Sequence, residues 1–407
     1  MDPRVRPRLL APFAEPIIEH DPPAALPSGL HEVSMRLDSQ RPPRPAGLLA
    51  VLALVSLLAG VPPRAGAPSA RAARRDSVDR LVMAEMARQH IPGVALAVVR
   101  AGRVVRAQGY GLANVELNVP VTPRTVFKIG SVSKQFLATG IMLLVQDGRM
   151  ALDDPVAKYV AGAPASWAGI TIRRLLSHTS GIVREGPAFE ALEVQPDSVV
   201  VRSAFPLPLE FAPGAKYQYC NVCYFALADI IRSVSGRPWS DFLAERVFRP
   251  AGMRATRTTT TTELVPDRAS GYVWRRDTLR PAPEYLALRP SGAFLSTVLD
   301  LAKWDSVLYT DAVLRRATRD EMWTPVALAD GSRYGYGFGW TLDSIAGHRR
   351  VHHGGSLPGF RAELARFPSD SLTVIVLTNG DGATPERIAR GVAEVVLRGA
   401  PAAGVRR

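Results

Sequence analysis

Cysteine is almost missing from these 407 residues: there are two, Cys220 and Cys223, in a single Cys-x-x-Cys. Two cysteines cannot staple a disulfide framework in a chain of this size. With no second pair and no histidine cluster beside them they give no zinc site, and no thioredoxin-like context supports a redox role. Both are read as small core residues, with a local disulfide as the alternative. Lysine is scarce too. Lys128, Lys134, Lys158, Lys216 and Lys303 are the only ones, so the formal net charge of +13 is carried by arginine. The arginines are scattered among apolar segments and never form a block interleaved with aromatics, which argues against a nucleic-acid partner. Hydrophobic content of 47% and charged content of 21% exclude disorder throughout. No internal repeat is present.

The first seventy-odd residues differ from the remainder. Residues 1–45 are rich in proline and arginine with no sustained period, which reads as disordered or as sequence upstream of the true start. Met35 is an alternative start, because a basic segment follows it, then the apolar run Ala46 to Val61, then small residues with cleavage expected after Ala67, Ala70 or Ala72. That is the layout of a secretory signal. The apolar run falls short of the roughly 20 residues a membrane span needs, so an uncleaved anchor is the lesser reading. No cysteine follows the run to carry a lipid. The expectation is an exported protein, periplasmic or extracellular, with residues 1–72 set aside and the folded part over 73–400.

What the chain does contain is one stretch that sets a hydroxyl and an amine a helical turn apart: Phe127-Lys128-Ile129-Gly130-Ser131-Val132-Ser133-Lys134-Gln135-Phe136. If a helix begins near Ser131, residues three apart share a face, so the Ser131 hydroxyl and the Lys134 amine converge. Phe136, Leu137, Ile141, Leu144 and Val145 are apolar at helical spacing, which predicts a buried helix holding both groups. Desolvation and the positive end of the helix dipole both disfavour an ammonium there, and a neutral Lys134 can take the Ser131 proton. Ser-x-x-Lys alone recurs by chance on many helices, where the lysine is simply solvated.

The rest of the chain supplies context. Ser77 to Gln89 has the pattern of an amphipathic helix stopped by Pro92. Gly93 to Val99 and Val104 to Tyr110 read as a β-hairpin. Near the other end, Arg361 to Phe367 alternates and Leu372 to Leu377 is continuously apolar, which predicts an edge strand and a central one. Thr384-Pro385-Glu386 opens a terminal helix to about Arg398. Between these ends, helices are expected over Thr171 to Ser177, Val222 to Ser235, Trp239 to Phe248 and Thr297 to Leu308, with a low-complexity loop at Thr258 to Thr262. Strands at both termini and helices inside predict one antiparallel sheet built from both chain ends, about 73–130 and 290–400, with a mainly helical insertion over about 131–289.

The motifs of the chain, taken in order, are Gly-Ser131-Val-Ser-Lys134, Leu152-Asp-Asp-Pro-Val-Ala-Lys-Tyr159, Ile172-Arg-Arg-Leu-Leu-Ser-His-Thr-Ser-Gly181 and Phe211-Ala-Pro-Gly-Ala-Lys-Tyr-Gln-Tyr219-Cys-Asn221. Ser291 to Leu301, His353-Gly-Gly355-Ser-Leu-Pro-Gly-Phe360 and Leu377-Thr-Asn379 complete the series. In this order they resemble the serine β-lactamase-like hydrolases, the branch with class C β-lactamases, D-alanyl-D-alanine carboxypeptidases, D-aminopeptidases and β-lactamase-fold esterases. The resemblance covers roughly Ser77 to Leu397 and implies an α+β fold of the β-lactamase and penicillin-binding-protein type. It implies Ser131 as nucleophile, and Tyr219, its acidity raised by the neighbouring ammonium, as a proton relay. Asn221 would orient Lys134 or bind a substrate carbonyl, and the amides of Ser131 and Ser356 would form an oxyanion hole beside Gly355. Whether Lys134 or Tyr219 is the first base stays open. His178 is tempting as a triad histidine, but the resemblance makes it structural.

In most β-lactamases of this resemblance the third element begins with lysine; here it is His353, with His352 as the alternative match. Lysine is permanently positive and attracts a substrate carboxylate, whereas histidine at neutral pH is mostly uncharged unless a carboxylate raises its pKa. The expectation is therefore an esterase or D-amino-acid peptidase working through an acyl-enzyme. The alternatives are a class C-like β-lactamase or a penicillin-binding sensor that does not turn over. The substrate is a small ester, peptide or β-lactam. Nothing calls for a metal or organic cofactor, and the oligomeric state is open.

Overall fold

The computed structural model of the chain describes residues 70–190, 195–258, 263–284, 290–292 and 294–398, with side chains from residue 77. The apolar run at 46–61 and the tract 259–262 lie outside the described residues. The central sheet has seven antiparallel strands: β1 (Gly93–Arg100), β2 (Arg103–Asn114), β3 (Val119–Pro120), β4 (Thr341–Ile345), β5 (His348–Leu357), β6 (Phe360–Phe367) and β7 (Leu372–Thr378). Their order is β4-β5-β6-β7-β1-β2-β3. The two chain ends meet where β1 pairs with β7, from Val94 opposite Thr378 to Arg100 opposite Leu372.

Five helices pack on this sheet or around the Ser131 turn: α1 (Ala70–Gln89), α2 (Lys134–Gln146), α3 (Asn221–Ser235), α4 (Val298–Val307) and α5 (Pro385–Arg398). The continuous apolar runs of β1 and β7 follow from covering both faces, since successive strand side chains point to opposite sides. Val94, Leu96, Val98, Leu372, Val374 and Val376 share one core with Val82 of α1 and Ile388 and Val392 of α5. Ala95, Ala97, Val99, Ile375 and Leu377 face the other way, into the larger core with α2, α3 and α4.

Several expectations need correction. The alternating strand, β6, is interior rather than an edge, lying between β5 and β7. Its polar positions meet buried partners instead of water: Glu363 Oε1 is 2.8 Å from His352 Nδ1, and Arg366 donates to Asp305 at 2.6 Å. The first helix begins at Ala70 rather than Ser77, because the Ala and Arg residues before Ser77 are strong helix formers. Trp239–Leu243 is α-helical but continues as a π-helical Ala244–Phe248. Thr258 is not loop but the end of a short strand, Arg257–Thr258, in a three-stranded sheet with Phe294–Ser296 and Phe127–Lys128. That small sheet delivers the chain to Ser131.

Candidate active site

Ser131 sits in a 3-10 turn, Gly130–Ser133, that feeds directly into α2. The turn is anchored from below, with the Ile129 amide donating to Phe294 O at 3.0 Å and the Phe294 amide to Ser133 Oγ at 3.3 Å. β5 presses on it from the side. Gly130 has φ +54°, and a Cβ there would lie 2.4 Å from the Ser356 amide nitrogen; a Cβ on Gly355 would lie 1.9 Å from Ile129 O. Only glycine permits that approach. Lys134, the first residue of α2, is fully buried. Its Nζ is 2.8 Å from Asn221 Oδ1, 2.7 Å from Ser291 O and 3.3 Å from Ser131 Oγ.

Tyr219 and Asn221 straddle the start of α3, with Cys220 between them. Lys134 Nζ stands 4.7 Å from the centre of the Tyr219 ring and 5.1 Å from that of Tyr224, held between two π faces. The expected gain in Tyr219 acidity is reversed. Burial pushes the phenol well above its ordinary value, and the adjacent Ser131 hydroxyl pulls back only in part. The buried phenol oxygen makes no well-formed hydrogen bond, so its interaction with Ser131 is proximity rather than a fixed bond. The two cysteines also depart from the free core residues expected: both are buried, and they form a disulfide. Their sequence spacing alone cannot report this, because it leaves the direction of each Cβ open.

A hydrogen-bonded chain that the sequence does not announce links the α3 start to β5. The Cys220 amide donates to His178 Nδ1 at 3.0 Å, which places the His178 proton on Nε2. Nε2 is 3.2 Å from the Tyr336 hydroxyl, which in turn lies 2.9 Å from His353 Nε2; His353 Nδ1 is 2.6 Å from Gly354 O. Each group thus donates to the next. Burial keeps both histidines neutral, His178 well below the ordinary range and His353 at about 3, with the charge of Lys134 acting in the same direction. His178 touches neither Ser131 nor solvent. His352, one residue away on the opposite face of β5, behaves differently: burial opposes its charge, but Asp343 and Glu363 outweigh burial and hold its pKa up at about 9.

Ser131, Tyr219, His353, Gly355 and Ser356 line one cavity of about 460 Å³ together with Arg184 and Glu363. β4 pairs with β5 only as far as His352, so beyond that residue the edge of β5 faces the cavity. Two residues missed in the sequence stand at the rim. The Arg184 guanidinium is 5.2 Å from the centre of the Tyr219 ring, and Glu185 Oε1 accepts from Asn221 Nδ2 at 2.5 Å. The only early sign of them is their place just after the Leu-Ser-His-Thr-Ser-Gly motif. Tyr336, in a segment with no motif of its own, gave none.

Comparison with known proteins places the chain in a family. The family model described as Beta-lactamase matches residues 78–397. Penicillin-binding protein 4* of Bacillus subtilis is 32% identical over 332 residues, covering 76% of this chain and 73% of that protein. A D-aminopeptidase of Brucella canis is 31% identical over 310 residues, 72% of this chain but only 57% of that protein's own length. Among solved structures, the octameric penicillin-binding protein homologue of Pyrococcus abyssi superposes with a TM-score of 0.72 at 28% identity, over 80% of this chain and 77% of that one. The chain therefore belongs to the Beta-lactamase family, as a serine hydrolase with the β-lactamase and penicillin-binding-protein fold.

Proposed function

We propose that the protein hydrolyses D-amino-acid amides or short peptides and simple esters through an acyl-enzyme on Ser131, and that it is a poor β-lactamase. The placement of Lys134 supports the first step. Once Lys134 has given up a proton, Asn221 Oδ1 and Ser291 O can take its two N–H donors and leave its lone pair for the proton of Ser131 Oγ, 3.3 Å away. Ser131 Oγ attacks the substrate carbonyl, with the amides of Ser131 and Ser356 receiving the oxyanion. Tyr219, which burial keeps protonated, donates to the leaving nitrogen or oxygen and is reprotonated from Lys134. Water then attacks the acyl-enzyme and releases the acid.

Substrate class rests on His353. Both of its ring nitrogens are engaged, by Tyr336 and Gly354 O, and the ring is neutral, so His353 offers no charge to a β-lactam carboxylate, and the cation lining the same cavity is Arg184 instead. Glu185 stands beside Arg184 near Tyr219, and its carboxylate, which accepts from Asn221, is the group suited to the ammonium of an amino-acid substrate. The D preference follows the curated relative and is part of the proposal. We propose further that the protein is exported, with the segment before residue 73 as its signal; fractionation of cells expressing the full chain, with the protein recovered in the cytoplasm, would refute that. The activity test sets p-nitrophenyl acetate and D-phenylalanine p-nitroanilide against a chromogenic cephalosporin. The first two should turn over faster, and Ser131→Ala should lower both by roughly a thousandfold or more. Faster turnover of the cephalosporin would reverse the assignment.

A further inference from the structure

We propose that the Cys220–Cys223 disulfide is a redox-sensitive positioning pair: when formed it sets Tyr219 and Asn221 for turnover, and its reduction by a dithiol turns the hydrolase down. The inference rests on the roles given above to Tyr219 and Asn221 and goes beyond them. Cys220 lies between those two residues and caps α3, its Sγ accepting from the Cys223 amide at 3.0 Å while its own amide donates to His178 Nδ1 at 3.0 Å. Bonded sulfurs sit roughly 2 Å apart, whereas two thiols need roughly 3.5 to 4 Å. Both residues are fully buried. A close-packed interior has no room for that separation, so the displacement passes to the backbone that carries Tyr219 and Asn221.

The surroundings already offer the reduced state a set of partners. Cys220 Sγ is 3.6 Å from Val183 O, and Cys223 Sγ is 3.2 Å from Ser180 Oγ. A disulfide sulfur carries no proton, so neither sulfur donates in the oxidised protein; a thiol at each position would find an acceptor in place. Those acceptors belong to the loop that also holds the site. Arg184 O accepts from the Asn221 amide at 2.8 Å, and Glu185 accepts from the Asn221 side chain. Reduction therefore exchanges a covalent tie within the start of α3 for hydrogen bonds to the 180–185 loop, on both sides of Asn221.

The chemistry is a thiol–disulfide exchange. Because both sulfurs are buried, the exchange needs a transient opening at the start of α3. A dithiol then attacks one sulfur, the S–S bond breaks, each cysteine gains one electron and one proton, and the reductant leaves as its own disulfide. In a reducing cytoplasm the enzyme would be held down, and an oxidising compartment would raise its activity.

The test uses the full chain in buffers of dithiothreitol with its oxidised form, counting free thiols under native conditions and measuring kcat and KM for p-nitrophenyl acetate. Two thiols should appear together, kcat should fall at least tenfold with KM changed much less, cooperative unfolding should persist, and reoxidation should restore kcat. Cys220→Ser/Cys223→Ser should show the reduced kcat and ignore the buffer. Unchanged kcat in the reduced protein or in the folded double variant, thiols that never appear without unfolding, or loss of kcat only alongside loss of the unfolding transition would each overturn the proposal. Absence of hydrolysis by the oxidised wild type would instead strike at the serine-hydrolase reading.

Discussion

At the residue scale, charge and donor count around Ser131 separate binding from chemistry. Glu185 is bonded to Asn221 but lies at the rim, so Glu185→Gln should raise KM for D-phenylalanine p-nitroanilide about tenfold, one lost charge pairing. The same variant should leave KM for p-nitrophenyl acetate unchanged; equal effects on both substrates would remove Glu185 from ammonium recognition. Tyr336 is the middle of the His178 to His353 chain. Tyr336→Phe leaves two buried ring nitrogens without their shared partner and should cost about 1 to 3 kcal/mol in urea unfolding. A variant as stable as wild type would show that the chain does not hold β5 to α3.

Elements matter here through how closely they approach one another. β5 can press on the Ser131 turn only because residue 355 has no side chain. Gly355→Ala must drive the strand from the turn, and since a displacement of about 1 Å can cost a hundredfold, kcat/KM should fall by about that factor while the circular dichroism spectrum is kept. Farther off, α4 is tied to the sheet by one buried ion pair, Arg366 to Asp305, reinforced by Thr373 donating to Asp305 at 2.7 Å. Asp305→Ala would leave the guanidinium buried and uncompensated, between the rings of Tyr309 and Trp323. Denaturation should report a loss of about 3 to 5 kcal/mol; a loss under 1 kcal/mol would mean the pair is dispensable.

For the whole molecule, stability should fall as pH rises from about 7 to 9. Below about 6.5 the buried neutral His178 and His353, which only the unfolded chain protonates, outweigh Asp197 and make stability rise with pH. Burial raises Asp197 to about 7, the Trp239 N–H only partly opposing it, so the folded state holds an extra proton between the ordinary carboxylate range and pH 7 and loses that advantage as pH climbs. His352, raised to about 9, contributes fully below its unfolded value near 6.5 and loses its contribution as pH passes 9. Asp343 runs the other way: burial opposes its charge, but Arg350 and His352 hold it low, and its contribution vanishes only in acid. Melting curves should show Asp197→Asn steepening the rise below pH 7 and His352→Gln flattening the decline above it; slopes identical to wild type in both variants would discount these groups. The antiparallel sheet from both chain ends was legible in the sequence because the periodicity of β1, β7 and the terminal helix is local. The spacing of Ser131 and Lys134 and the order of the motifs pointed to the family for the same reason. What only the tertiary structure decided are the contacts between segments far apart in the chain. The interior place of β6 follows from its pairing with β5 and β7, the joined cysteines from the direction of their side chains, and the neutral His353 and weak acidity of Tyr219 from burial. Each is set by what packs against the residue, and a one-dimensional pattern carries no record of that.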